Sequence, residues 1–334
     1  MRLPDNQLAL IDQVCAACKK TIVVLHNGSA VEMPWADKAQ AILEMYLGGQ
    51  AVGGATVDLL FGAVSPSGKL AETFPMKLED NPSYLNFPGD GDRVEYREGL
   101  YVGYRWYDAK RMDVRYPFGH GLSYTTFQYS NLRLSAKTMA QDGRLEVSVD
   151  VTNTGRMGAK EIVQLYVHSA HEGASRPEQE LKGFEKVYVA PGRTETVTFQ
   201  LCRRAFSYYN TDIQDWYAEG GAYEIRVGAS SRDIRLTAEV NLEAPRPLPV
   251  RVTPDTTFGD IMAIPGYEKV LGPLLAAMGQ TFGGADASMG GAADEMMNAM
   301  IRYMPLHGLK SFSGGAFTDE NMAGVVQALN AMQA

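Results

Sequence analysis

An alternation of apolar and polar residues between about residues 127 and 243 restricts the fold of this chain more than any other feature. Side chains along a strand point to opposite faces in turn, so this alternation is typical of strands that bury one face. The pattern recurs in KVYVAPG and is clearest in four other runs, at Leu145, Val147, Val149 and Val151, at Val163, Leu165 and Val167, at Val197, Phe199 and Leu201, and at Tyr223, Ile225 and Val227. The segment is therefore predicted to form antiparallel β-sheet.

Turn-forming residues separate these runs. Asn153-Thr154-Gly155, Pro191-Gly192 and Gly220-Gly221 each stand between two of the alternating stretches. Pro and Gly end strands because Pro lacks a backbone donor and Gly adopts turn conformations without steric cost. Short, half-buried strands joined by such turns predict an all-β sandwich of immunoglobulin or fibronectin type III architecture over residues 127–243.

The N-terminal residues predict a helix followed by a buried strand. Pro4 and Asp5 are favourable residues for a first helical turn. Apolar or small side chains then recur at helical spacing, at Leu8, Ile11, Cys15 and Cys18. The β-branched run TIVVL, residues 21–25, ends at Asn27-Gly28 and is typical of a strand covered on both faces. Such a strand needs neighbours on each side.

The pattern up to residue 75 continues as α/β. AILEMYL, residues 41–47, is a second short apolar run that suits a strand. Residues 48–62 then place apolar side chains on one helical face, at Val52, Ala55, Leu59 and Leu60. Gly62 is well placed to end this helix. Residues 1–75 are therefore predicted to form a partial α/β layer structure.

Residues 76–126 have little periodicity and are rich in aromatic rings. A connecting segment of this length usually has a function or lies across another domain. Exposed rings could stack on sugars, and the candidates for substrate binding are Tyr101, Tyr104, Trp106 and Tyr107. The alternative, which we favour, is that these rings fill a seam between domains.

Residues 244–334 predict a Pro-rich linker and a small helical extension. The linker is APRPLPVRV, residues 244–252, and helical patterns follow in YEKVLGPLLAAM and ADEMMNAMIRYM. Glycine pairs at Gly283-Gly284 and Gly290-Gly291 interrupt them, and nine of the 16 methionines lie after residue 260. Met-rich helices suit an adaptable docking surface, but a self-packed helical appendage is an equal alternative.

Charge and hydropathy exclude several partners. A net charge of −8 argues against nucleic acid or an anionic membrane as the main partner. No apolar stretch approaches the ~20 residues that a membrane-spanning helix needs. Polar residues such as Asp5 and Asp12 interrupt any signal-peptide pattern. We therefore expect a cytoplasmic location, unless the chain derives from a longer secreted precursor.

Neither the cysteines nor the carboxylates form a recognisable reactive motif. Cys15 and Cys18 have redox spacing, but they lie late in a helix that precedes a strand, so we interpret them as packing residues. The histidines show no zinc-ligand spacing, and we expect neither a metal nor a cofactor. Four carboxylates near loops are predicted to cap backbone or form ion pairs rather than act as acid/base: Glu32, Glu72, Glu95 and Glu98.

Several stretches together resemble the C-terminal half of glycoside hydrolase family 3, the β-glucosidase and β-xylosidase family. They are VVLHNGSAVEMPW, AILEMYLGGQAVGGATVDLLFGAVSPSGKLAETFP, EYREGLYVGYRWYD, YPFGHGLSYTTFQYSNL, RPEQELKGFEKV and EGGAYEIRVGASSRDIRL. Their order and spacing cover about residues 1–240. The resemblance implies the second half of an α/β sandwich domain at 1–75, a connecting segment at 76–126, a fibronectin type III-like domain at 127–243 and an extension at 244–334.

The same resemblance implies that the catalytic groups lie on other polypeptide. In this family the nucleophile is an aspartate on a barrel domain, and the acid/base glutamate of many bacterial members shortly precedes an L-P-x-x-Q segment. Residues 3–7, LPDNQ, match that segment, so no catalytic residue is carried over to this chain.

We therefore expect the rear portion of a retaining β-glycosidase for β-linked glucosides or xylosides, inactive alone. Its partner would be the barrel, in cis or in trans, or a second copy of the chain. The alternative is a non-catalytic β-sandwich module that binds carbohydrate or a protein.

Overall fold

The computed structural model describes residues 1–171, 175–245, 248–273, 302–313 and 317–333. Contacts divide the chain into two units, Met1–Pro245 and Arg246–Ala334. Buried apolar side chains form two clusters in the first unit and one in the second. Each unit therefore has a hydrophobic core of its own.

The first part of the N-terminal unit is a small α/β arrangement. Its elements in chain order are helix α1 (Asp5–Ala17), strand β1 (Ile22–Leu25), strand β2 (Ala41–Glu44) and helix α2 (Val52–Leu60). β1 and β2 pair in parallel, with Ile22 opposite Ala41. Gly62, with a φ of 75°, follows α2 in the left-handed conformation that glycine adopts without strain.

The predicted strand at TIVVL is present, but the expected cover on both of its faces is not. Among the residues that the structure describes, β1 pairs with β2 alone. Ile22 is 49% exposed, whereas Leu25 at the other end of β1 is buried. The reason is that full cover requires a strand on each edge and a packed layer on each face, and the described residues supply one neighbouring strand.

The connecting segment is mostly irregular and returns to the α/β part. Residues 76–103, all of them described, form turns and one 3₁₀ helix, Leu78–Asp80. The regular elements around them are strand β3 (Phe74–Pro75), helix α3 (Tyr104–Ala109) and strand β4 (Val114–Tyr116). Because β4 pairs antiparallel with β3, the end of this segment is tied to the α/β core.

The remainder of the N-terminal unit is a β-sandwich with one additional hairpin between two of its strands. Its strands are β5 (Phe127–Leu134), β6 (Thr138–Met139), β7 (Arg144–Asn153), β8 (Ala159–Ser169), β9 (Glu180–Val189), β10 (Thr194–Cys202), β11 (Tyr208–Asn210), β12 (Asp215–Tyr217), β13 (Gly221–Ser230) and β14 (Asp233–Leu242). One sheet has the order β10-β7-β5 and the other β6-β14-β13-β8-β9, while β11 and β12 form a separate hairpin.

The alternation of apolar and polar residues in the sequence corresponds to the alternation of buried and exposed positions along the strands. The predicted inward positions on β7, β8, β10 and β13 are all buried and belong to one core cluster. The two sheets thus bury one face each against the other, as a sandwich requires. The predicted fold class, an α/β part followed by an all-β fibronectin type III-like sandwich, is confirmed.

Two of the sandwich strands, β5 and β14, are not apparent from periodicity alone. In β5, Asn131 has a φ of 51°, and the pairing with β7 shifts between Ser130 and Arg133. This irregularity interrupts the alternation from which strands are recognised. β14 alternates in burial, but its inner positions are only partly covered until Val240 and Leu242.

The C-terminal unit is helical and packs around its own core. Its elements are helix α4 (Phe258–Met262), a helical stretch at 268–273, helix α5 (Leu309–Phe312) and helix α6 (Asp319–Ala331). The buried side chains are Val252, Phe258, Ile261, Ile264, Leu271, Leu306, Leu309, Phe317 and Leu329. Thr318 and Asn321 form a reciprocal capping box that begins α6. The described part of the extension is thus a self-packed helical unit.

Part of the predicted extension lies outside the described residues. The glycine pairs at 283–284 and 290–291 and most of ADEMMNAMIRYM fall there. Among the described residues, no helix is both long and apolar enough to cross a membrane.

Candidate functional site

The aromatic candidates lie where α3 meets the sandwich. The Tyr104 ring stacks on Phe118, with 4.7 Å between centroids, and meets the edge of buried Tyr166 on β8 at 6.1 Å. The Leu181 N–H at the start of β9 donates to the Tyr104 hydroxyl at 2.8 Å. Burial raises the pKa of Tyr104, because a tyrosinate there would lose solvation. Tyr104 therefore packs between the connecting segment and the sandwich.

The other three aromatic candidates also use their polar atoms within the protein. Their partners are Ser175 Oγ for Tyr101 (2.7 Å), the Asp80 carbonyl for Trp106 (3.0 Å) and Asn81 Oδ1 for Tyr107 (3.2 Å). Tyr107 is buried, and burial raises its pKa to about 12. Tyr104, Trp106 and Tyr107 lie on α3 and Tyr101 precedes it. Tyr101 and Tyr104 contact the sandwich part of the chain, whereas Trp106 and Tyr107 bind other residues of the connecting segment.

A buried ion pair joins the α/β part to the sandwich. Lys69 Nζ lies 3.0 Å from Glu161 Oε1 of β8, and the two side chains are only 10% and 6% exposed. Lys69 also donates to the Gly121 carbonyl at 2.9 Å. Burial, and then the Glu161 charge, raises the pKa of Tyr129, whose hydroxyl donates to the same carboxylate. The pair is satisfied by hydrogen bonds from both parts of the unit.

A second ion pair at the seam connects α3 with the turn between β13 and β14. Arg232 Nε donates to Asp108 Oδ1 at 2.8 Å. Burial raises the pKa of Asp108, although the Arg232 charge and hydrogen bond oppose this effect. A guanidinium therefore stabilises the carboxylate form of a largely buried side chain.

Two partly buried carboxyls lie near one tyrosine after β2. The Tyr46 N–H donates to Glu44 Oε1 at 2.9 Å. Burial raises the pKa of Glu44 and of Glu72, and burial followed by the charges of these two groups raises the pKa of Tyr46. The sequence indicates Glu72 as a candidate but not Glu44. Glu44 lies at the carboxyl end of a parallel strand, a position that is a known signal for a site.

The remaining carboxylate candidates make local structural contacts. Glu32 Oε1 accepts the Leu78 N–H at 2.7 Å, and Glu95 pairs with Arg97. Glu98 has one buried carboxylate oxygen without a hydrogen-bond partner among the described residues. Glu32, Glu95 and Glu98 thus do not pair with one another. Of the four carboxylate candidates, only Glu72 lies near another carboxyl.

The described part of the chain contains no cysteine pair and no group of side chains arranged to bind a metal ion. Cys15, Cys18 and Cys202 are free thiols, and Cys18 and Cys202 are exposed. No group of three or more His, Cys, Asp or Glu side chains there is arranged to hold a metal ion.

Comparison with known proteins identifies two domains. Residues 1–124 match the Glycosyl hydrolase family 3 C-terminal domain, and residues 161–231 match the Fibronectin type III-like domain. The first match contains the α/β part and the connecting segment. The second lies within the sandwich.

Curated relatives match almost the whole chain. Thermostable beta-glucosidase B of Acetivibrio thermocellus is 50% identical over 330 residues, which are 99% of this chain and 43% of the relative. Exo-alpha-(1->6)-L-arabinopyranosidase of Bifidobacterium longum is 41% identical over 93% of this chain and 40% of the relative. The chain thus spans about two fifths of the length of these proteins.

Solved structures agree with these sequence matches. The GH3 beta-glucosidase of Bifidobacterium adolescentis superposes with a TM-score of 0.74 at 44% identity, over 80% of this chain and 39% of that structure. The beta-glucosidase of Kluyveromyces marxianus gives 0.69 at 41% identity, over 73% and 29%. The chain belongs to glycosyl hydrolase family 3 and corresponds to the C-terminal part of its beta-glucosidase-like members.

Proposed function

We propose that the chain works as the C-terminal portion of a retaining β-glycosidase that hydrolyses O-glycosyl bonds of β-glucosides or β-xylosides. The observation that carries the proposal is the match of 99% of this chain to a relative named as a beta-glucosidase. The sugar that the enzyme prefers is also part of the proposal, because another relative is named as an arabinopyranosidase.

The surface of the α/β part and of the connecting segment supports a further polypeptide as partner. Six large apolar side chains within residues 1–124 are at least 70% exposed: Leu47, Phe61, Leu85, Phe87, Tyr96 and Leu122. Contiguous exposed apolar side chains mark interaction surfaces, and in our proposal these six belong to one. In our proposal the catalytic barrel covers this surface, in cis or in trans, and a second copy of the chain is the alternative occupant.

The chemistry of retaining hydrolysis supports placing the reactive groups outside this chain. That mechanism needs two carboxyls about 5–5.5 Å apart, one as nucleophile and one as acid/base. Burial raises the pKa of Glu44 and Glu72 is close enough for its charge to raise it further, but both carboxyls are drawn into contacts with Tyr46 and neighbouring backbone. In our proposal they hold the loops after β1 and β2 and take no part in glycoside cleavage.

Hydrolysis of an aryl β-glucoside tests this function directly. We expect no turnover by the purified chain and clear turnover when it is produced together with the N-terminal part of the Acetivibrio thermocellus relative. Turnover by the chain alone that disappears in Glu72→Gln or Glu44→Gln would contradict the proposal. An associated but inactive pair of polypeptides would contradict it too.

The alternative function, a module that binds carbohydrate through its aromatic segment, has less support. The polar atoms of Tyr101, Tyr104, Trp106 and Tyr107 are already paired within the protein. Titration of the chain with cello-oligosaccharides, followed by tryptophan fluorescence, separates the two functions. A saturable change at millimolar sugar would favour the binding module.

A further inference from the structure

Residues 82–100 form a loop, here called the apolar loop, whose two ends are fixed to other parts of the chain. Just before it, the Asp80 carbonyl accepts a hydrogen bond from the Trp106 ring of α3 at 3.0 Å. Just after it, the Tyr101 hydroxyl lies 2.7 Å from Ser175 Oγ. The loop therefore begins and ends at points that the folded chain holds in place.

A tight turn gives the apolar loop a defined backbone at its tip. The Asp90 N–H donates to the Arg93 carbonyl at 3.0 Å, and the Arg93 N–H donates to the Asp90 carbonyl at 3.1 Å. Gly89 has a φ of 104°, and a Cβ at this position would collide with the Arg93 carbonyl oxygen. Only glycine fits there without strain. The backbone of the loop is thus organised before any partner binds, which lowers the entropy cost of binding.

The apolar side chains of this organised loop are exposed. The leucine, valine and aromatic side chains within residues 85–100 are all at least 47% exposed, and they are Leu85, Phe87, Val94, Tyr96 and Leu100. Burial of such side chains is favoured in water by more than 1 kcal/mol each, roughly. A single exposed apolar residue is ordinary, whereas five on one anchored loop indicate an interaction surface.

The apolar loop is also acidic, and one of its carboxylates has no partner. Residues 85–100 contain four acidic side chains and two arginines. Glu95 pairs with Arg97. The Glu98 side chain forms neither an ion pair nor a hydrogen bond among the described residues, and one of its carboxylate oxygens is buried. Because a carboxylate removed from water without a donor is unfavourable, Glu98 requires a cation from elsewhere.

We propose that the apolar loop binds the polypeptide that completes the enzyme, and that Glu98 pairs there with an arginine or lysine of that polypeptide. The partner surface is apolar where it covers Phe87 and Tyr96, with a basic side chain at its edge, as in the usual arrangement of an apolar centre and a polar rim. The acidic excess of the loop selects a basic partner, since opposite charges steer association.

This inference rests on the proposed function, because the partner is the part of such an enzyme that lies outside this chain. The chain spans 43% of the length of the Acetivibrio thermocellus relative, so the larger part of that protein is available to cover the loop. The inference goes beyond the proposed function because it assigns the contact to one loop and one carboxylate.

Assembly in trans tests the role of Glu98. The chain is produced together with the N-terminal part of the Acetivibrio thermocellus relative, and sedimentation of the complex over a dilution series gives its dissociation constant. We expect Glu98→Gln to weaken assembly at least about tenfold, the effect of one charge-assisted hydrogen bond. Glu95→Gln is the matched control, because that carboxylate already has Arg97 as its partner, and it should stay within about twofold. Added salt should weaken assembly less in Glu98→Gln than in the unaltered chain.

Two tyrosines separate the apolar contact from a general effect of exposed rings. Tyr96 on the apolar loop and Tyr303 in the C-terminal unit are both more than 80% exposed. Tyr96→Ala should weaken assembly at least about tenfold, because it removes an aromatic side chain from the contact, and Tyr303→Ala should stay within about twofold. Neither ring supports a core, so the thermal midpoints of the isolated chains should stay unchanged. The midpoint of isolated Glu98→Gln should not fall either, since a neutral amide replaces an unpaired carboxylate.

The outcomes distinguish this inference from the function on which it rests. Assembly with turnover of an aryl β-glucoside that Glu98→Gln and Tyr96→Ala leave unchanged would overturn the role of the loop and keep the proposed function. Assembly that both variants weaken, but without turnover by the unaltered pair, would support the loop contact and contradict the function. Self-association of the chain alone that Tyr96→Ala abolishes would assign the loop to a second copy and overturn the choice of partner. Absence of assembly by the unaltered chain would overturn both.

Discussion

At the scale of single residues, the contact between Lys69 and Glu161 joins two parts of the chain that are far apart in sequence. Both side chains are nearly buried, and their charges lie 3.0 Å apart. A buried pair contributes little net stability relative to apolar residues, but the loss of one partner leaves a charge without compensation. The chain offers an exposed pair for comparison, Lys38 with Asp12 at 2.7 Å.

Removal of one charge from the buried pair should destabilise the N-terminal unit strongly. We expect Lys69→Met to lower the free energy of unfolding by about 3–5 kcal/mol, because it leaves the buried Glu161 carboxylate without its cationic partner. Lys38→Met should cost less than about 1 kcal/mol, since its pair is exposed. Urea unfolding followed by circular dichroism measures both. Equal unfolding midpoints for the two variants would show that the buried pair does not hold the seam.

At the scale of elements, helix α6 and the residues directly after it hold an extended segment through side-chain amides. Asn330 accepts the Val252 N–H at 2.9 Å and donates to the Val252 carbonyl at 3.0 Å. Gln333 forms the same two bonds with Val250, at 2.7 and 2.9 Å. The two amides thus substitute for a neighbouring strand, so the segment after the Pro-rich linker keeps its backbone groups satisfied.

Loss of one of these amides should open the segment locally. Asn330→Ala leaves both backbone groups of buried Val252 without a partner, which costs about 1–3 kcal/mol. We expect faster hydrogen exchange at the Val252 amide, measured by NMR on the whole chain. Gln327→Ala is the control, because this exposed amide lies on the same helix. Unchanged protection of Val252 in Asn330→Ala would refute this account of α6.

At the scale of the whole molecule, several large apolar side chains of the N-terminal unit are exposed. Phe61, directly after α2, is 85% exposed, and it lies within the segment that matches the family 3 C-terminal domain. Phe184 on β9 is exposed as well, at 66%, but lies in the sandwich. These two phenylalanines allow the position of the partner surface to be tested with the same substitution.

A charge on the α2 side should interfere with assembly of the active enzyme. We expect Phe61→Asp to reduce the glycosidase activity reconstituted in trans at least tenfold, because a carboxylate would have to be buried at the contact. Phe184→Asp should leave that activity within about twofold, since surface substitutions away from an interface have small effects. Thermal midpoints of both variants check folding. A similar loss in Phe184→Asp would place the partner elsewhere.

Features of the fold that depend on residues close together in the sequence could be predicted, whereas those that depend on distant residues could not. The inward positions of β7, β8, β10 and β13 follow from local alternation, and all of them are buried. α1 and α2 follow from helical spacing and from Gly62. β5 is hidden because Asn131 breaks its alternation. We interpret the aromatic segment as a seam, and of its rings Tyr104 contacts Phe118 and Tyr166 of the sandwich strand β8.

By itself the sequence determined most of the stretches that become strands and helices, because local periodicity depends on neighbouring residues. Through its motifs it also indicated the family. Tertiary structure alone decided which charges meet. Lys69 finds Glu161, and Arg105 and Lys182 share Glu180, across segments that are far apart in the chain. Their pairing and their pKa values depend on burial and distance, which exist only after the sheets have packed.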